Sequence, residues 1–391
     1  MAPLRLLCAT VALLAIAPAS AGASKLEGFE LPSRLVDPSS PGGVLGDGHT
    51  VPKVNVLLPD GYSQRAKRRY PVLWLLHGAN SGSDSWLRAN DVRKLAAGLP
   101  AVVVMPDGGM FGMYTDWWNG GARAAPAWAT YHLKVLRHAV ERRYRIRSGR
   151  RWHAIAGISM GGQGTLRYAA MLPGYFGSAV GFSSAFPDMQ APVAEFGLDT
   201  LPVGIPDGEV YEAIFGSRES QYAEGNSPQA LAPNYGHTRI YLTSGDGVNC
   251  PQDPPVNAGD GATELVLHNQ QAPFAAAVRT AGADVTAVTT CGVHTFGVWN
   301  RAFPRVRAWG LFKRVQERPR SWTYRTIATS GEMWGLRFRF AKPPAAVAEF
   351  ERSGRKLTAA GRGSVRISGP RGCRLRGSLP FERTLPSACR S

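Results

Sequence analysis

Gly157-Ile158-Ser159-Met160-Gly161 holds the first residues whose types and spacing point to chemistry. A short apolar run, Ala154-Ile155-Ala156, leads into them, and a helix-like stretch from Thr165 to Ala170 follows. This is the strand–turn–helix context of a nucleophile elbow. The turn is so tight that a side chain two residues before or after the serine would strike the strand or the helix. The strain would hold the Ser159 hydroxyl out at a sheet edge, with a helix N-terminus behind it that favours developing negative charge. The competing reading is a Gly-rich β–α turn around a buried structural serine.

A serine hydroxyl is a poor nucleophile at neutral pH. It needs a base within hydrogen-bond reach, and the base needs an acid to fix its tautomer. Of eight histidines, only His294 follows the last strand-like run of the large unit, as the chain order Ser, acid, His requires. Asp246 directly follows a strand-like run, and Asp260 and Glu264 come slightly later. Periodicity does not choose among these three carboxylates. The loop His77-Gly78-Ala79-Asn80 follows a buried strand, where an oxyanion-hole amide is expected, and the Ala79 N–H is the candidate. For His77 a loop-positioning role is preferred over proton transfer. Asp116, Trp117 and Trp118 belong to an aromatic loop that reads either as an acyl or sugar wall or as core packing.

The elements that must position these groups alternate. Strands are expected at 28–36, 53–58, 71–76, 101–105, around 154–158, 177–183, 239–243 and 284–290. Helices are expected at 126–144, after Ser159, at 264–281 and at 299–315. The stretch 184–235 is irregular and suits a lid or substrate-binding insert. The alternation predicts a mostly parallel doubly wound sheet whose carboxyl edge gathers all the loops named above. From Ser321 the pattern changes to short strands, at 322–327, 333–340, 365–367 and 373–376.

The chain has 391 residues, enough for one large core and a smaller unit. Residues 1–23 read as a secretory signal: Arg5, an apolar run from Leu6 to Ala17, and a small-x-small site near Ala21. No later segment is long and apolar enough to span a membrane. Beyond the signal four cysteines remain, and an even number in an exported chain suggests two disulfides. Cys250–Cys291 with Cys373–Cys389 is the expected pairing, because each pair then falls within one unit; free thiols are the other reading. The formal charge is +17, and residues from Leu311 onward hold 18 of the 45 Lys/Arg but only 5 of the 28 Asp/Glu. Such an arginine-rich exported region favours anionic lipid or cell-envelope polymer over nucleic acid, unless it is only a solubilising bias. No Cys/His spacing suggests zinc or another metal, and no cofactor is expected.

Taken together, several stretches resemble the secreted esterase family that contains the mycolyltransferases and esterase D-type hydrolases. They are Val103-Val104-Met105-Pro106-Asp107-Gly108-Gly109, Tyr114-Thr115-Asp116-Trp117, Gly157-Ile158-Ser159-Met160-Gly161-Gly162 and Gly292-Val293-His294-Thr295, with Trp299. The resemblance runs from about Gly28 to Phe312. It implies an α/β-hydrolase fold, a triad of Ser159, His294 and Glu264 with Asp246 as second choice of acid, and an oxyanion hole of the Ala79 and Met160 amides. It also puts His77, Asn80, Asp116, Trp117 and Phe296 near the substrate. Where mycolyltransferases carry an aspartate and an arginine for trehalose, this chain has His77 and Asn80, and Phe296 replaces a tryptophan. The organisation expected is a signal at 1–23, a catalytic domain at 24–316 and a small basic β-rich domain at 317–391. The activity expected is hydrolysis of an acyl ester; acyl transfer to a sugar or glycerol hydroxyl, or a non-catalytic envelope-binding protein, are the alternatives.

Overall fold

The computed structural model describes residues 24–389 except Asp47, Asn90, 119–125 and Asp207; the signal expected at 1–23 lies outside the described residues. Five strands form the centre: β3 (Val72–Leu76), β4 (Val102–Pro106), β5 (His153–Ile158), β6 (Ser178–Phe182) and β7 (Arg239–Gly245). Every residue in them is buried. Their near-continuous apolar sequences follow from cover on both faces. Val72, Trp74 and Leu76 point into one core layer, while Leu73 and Leu75 point into the other.

With β1 (Lys25–Glu30), β2 (Lys53–Leu58) and β8 (Asp284–Thr290) the sheet has eight strands in the order β1-β2-β4-β3-β5-β6-β7-β8. β2 pairs antiparallel with β1 and β4, and all pairs from β4 to β8 are parallel. The chain leaves β3 for β4 on one side and reaches β5 on the other. The strand order therefore reverses between β3 and β5, which opens a crevice beyond their carboxyl ends. The loop after β3 and the turn after β5 flank it.

The first strand is displaced from its expected place at 28–36, and Pro32 lies just beyond its end. The acid-bearing helix starts earlier than expected and spans Ala258–Thr280. The closing helix is Phe296–Trp309, stopped by Gly310 at φ 88°. The expected helix at 126–144 is interrupted: Trp128–Thr130 passes through a π-helical turn, Tyr131–Leu136, into Arg137–Arg143. The insert between β6 and β7 contains short helices at Pro192–Asp199, Val210–Phe215 and Gln221–Asn226.

A second, antiparallel sheet comprises β9 (Ser321–Thr326), β10 (Ser330–Met333), β11 (Leu336–Phe340), β12 (Ala348–Ser353), β13 (Lys356–Ser368) and β14 (Arg374–Thr384). The single strand expected at 333–340 is instead a hairpin. Trp334 and Gly335 both take positive φ, 49° and 82°, as the tight turn between β10 and β11 needs. β13 bends where its register shifts between Ala359 and Gly363, with Gly361 and Gly363 both at φ 117°. Its first half pairs with β12, its second half with β11, and β14 runs along both. The curled sheet encloses its own apolar core, including Tyr324, Phe338, Phe340, Phe350 and Ile367. Cys373 is bonded to Cys389, and Cys250 to Cys291.

The two sheets are joined by buried polar contacts. The Arg150 guanidinium, only 1% exposed, donates to the carbonyls of Pro173, Phe176, His237 and Gln316 and to the Thr238 hydroxyl. It stacks on Trp334 from the second sheet. Asn234 bridges the Ala170 and Arg325 carbonyls, and the Tyr324 hydroxyl donates to the Met171 carbonyl. No helix among the described residues is long and apolar enough to cross a membrane.

Candidate active site

β5 passes into the helix Met160–Met171 through Ser159, which sits at φ 53°, ψ −118°. A non-glycine residue in this region is strained and persists only where its surroundings hold it. Here the Ser159 N–H donates to the Phe182 carbonyl, and the Ser159 carbonyl accepts from the Gln163 and Ala185 amides. The flanking glycines are required by space. A Cβ on Gly157 would come within 2.1 Å of the Gly161 carbonyl oxygen, and one on Gly161 within 2.5 Å of the Leu76 and His77 carbonyls.

His294 lies in the loop after β8, and its backbone N–H donates to the Asp260 carbonyl. Its Nε2 is 2.9 Å from Ser159 Oγ, and its Nδ1 is 2.7 Å from Glu264 Oε2. Glu264 is fully buried on the acid helix. Its Oε1 accepts from the Ser183 hydroxyl at 2.6 Å and from the Gly245 amide. Ser183 in turn accepts from the Trp299 indole N–H at 2.9 Å. The Trp299 ring stands edge-on to His294, with centroids 5.1 Å apart. Ser183 did not stand out in the sequence. It is one serine at the end of one strand, and its meaning comes only from the glutamate and tryptophan that converge on it.

Asp246 is not on the histidine. Its Oδ1 accepts from the Val248 and Gly292 amides, which ties the loop after β7 to the loop after β8. It braces the histidine loop while Glu264 holds the ring.

The loop after β3 lies against the serine: a Cβ on Gly78 would be 3.5 Å from the Ser159 Cβ. Neither the Ala79 nor the Met160 N–H donates to another group among the described residues. His77 is buried behind this loop. Its Nε2 accepts from the Gly108 amide at 2.9 Å, so the proton is on Nδ1, which donates to the Gly78 carbonyl at 2.8 Å. It is a brace between two loops beside the serine.

Asp116 and Trp117 are likewise engaged by the fold. The Asp116 carboxylate accepts from the Thr130 amide and hydroxyl, and so pins the start of the 128–143 helix. Trp117 is 3% exposed and donates to the Gly112 carbonyl. The neighbouring Trp118 is the exposed aromatic, at 51%, with its ring centroid 5.0 Å from that of Tyr222 in the insert. Phe296 is half-buried and packs edge-on against Trp299, 5.0 Å between centroids. Asn80 is exposed at φ 54°, its N–H bonded to the Met110 carbonyl.

Behind the Asp107 loop His132 is buried in the π-helical turn. Its Nε2 donates to the Asp107 carbonyl and its Nδ1 accepts from the Tyr168 hydroxyl, an arrangement only the neutral ring can make. Burial pushes its pKa down to about 3. His153, at the start of β5, is pushed down to about 4, again mainly by burial. Arg167, buried on the elbow helix, donates to the Tyr114 carbonyl and to Asn226 of the insert.

The arrangement is a hydroxyl, an imidazole and a buried carboxylate hydrogen-bonded in sequence at the carboxyl edge of an α/β-hydrolase sheet. The chain belongs to the putative esterase family, which matches residues 49–309. Among similar proteins, Esterase Rv1288 of Mycobacterium tuberculosis is 34% identical over 252 residues, covering 63% of this chain and 53% of that protein. The MPT51/MPB51 antigen of Mycobacterium bovis is 32% identical over 110 residues, 28% of this chain and 35% of that protein. The chain spans about half the length of the first of these relatives. The structure of Mycobacterium tuberculosis MPT51 matches with a TM-score of 0.56 at 20% identity, covering 74% of this chain and 99% of that one. The Staphylococcus aureus fluorophosphonate-binding serine hydrolase F matches with a TM-score of 0.54 at 20% identity, covering 75% and 100%. At such identity the structural likeness shows the fold.

Proposed function

We propose that the chain is an exported serine carboxylic-ester hydrolase that works through Ser159, His294 and Glu264. The observation that carries the reading is the relay of 2.9 Å and 2.7 Å from Ser159 through His294 to a buried Glu264. His294 Nε2 takes the Ser159 proton as Oγ attacks the ester carbonyl. Glu264 holds the ring with its proton on Nδ1 and stabilises the imidazolium that forms. The oxyanion lies on the Ala79 and Met160 amides, whose loss would cost on the order of 100–1000-fold in rate each. His294 then protonates the departing alcohol, and water, deprotonated by the same ring, releases the acid from the acyl-enzyme.

Export is supported by the signal-like residues 1–23 and by two disulfides. Acyl transfer to a sugar or glycerol hydroxyl is the second reading, and it rests on the resemblance of the Gly157–Gly162 and Gly292–Thr295 stretches to the mycolyltransferase group. Trehalose as acceptor finds no support at His77, which is spent on bracing the loop. We assign residues 24–316 to catalysis and the basic region 317–391 to retention on anionic envelope material, polymer or lipid.

The test is turnover of p-nitrophenyl butyrate by the full chain. Ser159→Ala should lower kcat by more than about 10⁴-fold. Turnover unaffected by the substitution would overturn the enzyme reading. Failure of the folded protein to react with a fluorophosphonate would favour a binding protein on a retired scaffold.

A further inference from the structure

Between the second sheet and the 128–143 helix lies a cleft of about 1180 Å³. Its floor is one face of β10, β11, β13 and β14. The antiparallel registers align this face in rows. Arg339 is opposite Arg366, and Arg366 is opposite Arg376. In the next row Arg337 is opposite Ser368, and Ser368 is opposite Arg374. All five arginines are exposed, while the alternate positions, Phe338 and Ile367, point into the core. A further cation, Lys134, faces them from the helix wall.

Like charges directly opposite one another across strands are destabilising, with side chains about 5 Å apart. Three arginines in one row, without a carboxylate among them, cost stability unless something neutralises them. None of the five makes an ion pair or a side-chain hydrogen bond among the described residues. The carboxylates at the cleft offset this charge only in part, and none stands in the row Arg339–Arg366–Arg376. Asp116 is held by Thr130, Glu141 pairs with Arg137, and Glu332 is opposite Arg337 in register without closing an ion pair.

We propose that this arginine-lined cleft is a binding site for a linear polyanion, whose phosphate or carboxylate groups are taken in sequence by the row Arg339–Arg366–Arg376 and its neighbours. Guanidinium groups grip such oxyanions with paired N–H donors. The inference deepens the retention reading above and commits it to a chain. A bilayer presents a plane and reaches only the rim of a cleft. A single-stranded nucleic acid gains much of its affinity by stacking on aromatic rings. The aromatic residues at this cleft, Tyr324 and Phe338, are only 3% and 2% exposed. The site is separate from the ester chemistry. Met171 borders the cleft at the far end of the elbow helix from Ser159, roughly 18 Å away at about 1.5 Å per residue.

The test titrates the full chain with long-chain inorganic polyphosphate, and in parallel with polygalacturonate, by fluorescence anisotropy at 150 mM salt. The triple variant Arg339→Ser, Arg366→Ser, Arg376→Ser should weaken binding at least tenfold. It should also reduce the slope of log Kd against log salt by about 2, at ~0.7 per contact for a single-stranded polyanion. The control triple Arg355→Ser, Arg362→Ser, Arg383→Ser removes the same charge from exposed positions outside the cleft and should stay within twofold. The tighter of the two polymers identifies phosphate or carboxylate as the partner chemistry. Equal loss in both triples, or vesicles containing phosphatidylglycerol binding as tightly as the chains, would overturn the proposal. Melting temperature and p-nitrophenyl butyrate turnover are read on every variant, so a failed esterase reading stays distinguishable from a failed cleft. Arg376→Ser alone, on the edge strand β14, repeats the measurement if the triple variant does not fold.

Discussion

Replacing Ser183 by alanine isolates the support of the proposed triad acid from the proposed triad itself. The hydroxyl makes two bonds: it donates to Glu264 Oε1 at 2.6 Å and accepts from the Trp299 indole at 2.9 Å. A bond to a charged acceptor is worth ~1.5–3 kcal/mol, and a buried donor left without a partner costs ~1–3 kcal/mol. Because one small group makes both, and the Gly245 amide still serves Oε1, the net loss of stability should be roughly 2–4 kcal/mol. The bond from Glu264 Oε2 to His294 is untouched, so the imidazole keeps its tautomer. What is lost is the rigidity of the carboxylate and part of its charge stabilisation. We expect kcat for p-nitrophenyl butyrate to fall about tenfold, the equivalent of ~1.4 kcal/mol in the barrier. KM should not move, since Ser183 touches no substrate in the proposed mechanism. The assay is steady-state kinetics beside urea unfolding on the same preparations. An unchanged kcat with the stability loss would reduce Ser183 to a packing residue. A raised KM at unchanged kcat would refute the reasoning.

Glu264→Gln should lower kcat by about 10⁴-fold, the scale for an amide at the acid position of such a triad, and Asp246→Asn by no more than about tenfold; equal losses would mean that the loop tie and the ring partner are confused. Arg150→Met strips donors from four carbonyls and removes the ring stacking on Trp334, so unfolding stability should drop by ~3–5 kcal/mol, read as a lower urea midpoint. An unchanged midpoint would show that the two sheets do not depend on this junction. His132 and His153 are held neutral, with pKa values near 3 and 4, below the unfolded value. Their contribution is therefore complete above about pH 6.5 and is lost as pH falls toward 4, because the unfolded chain takes up the protons first. By pH 5 the loss should be about 2 kcal/mol per residue, and urea midpoints that are flat from pH 7 to 5 would contradict it.

The elbow and the histidine were legible because their signals are local. Two glycines flank a serine between a strand and a helix, and a histidine follows a late strand. Glu264 was singled out only through family resemblance, since Asp246, Asp260 and Glu264 all lie in the right interval and only the fold brings Glu264 to His294 Nδ1 while Asp246 holds loop amides. Trp117 and Trp118 are adjacent and identical in type, and only the fold decides which one meets solvent. β12 escaped sequence reading because its alternating pattern, Ala348-Glu349-Phe350-Glu351-Arg352-Ser353, has few apolar residues, and its Arg352 lies on the buried side. β13 and β14 were seen only in part, because glycines interrupt them where the sheet turns over on itself.

The bond between Cys250 and Cys291 joins residues 41 positions apart in the chain, and Glu264 lies between them. His294 begins three positions past its end. The carboxylate therefore sits inside a covalent ring and the imidazole just outside it, so the crosslink limits how far the two can part. A newly made chain still inside a thiol-rich cell would carry its reacting groups on a slack hoop and should be a sluggish catalyst. With the export proposed above, that hoop would close only outside the cell.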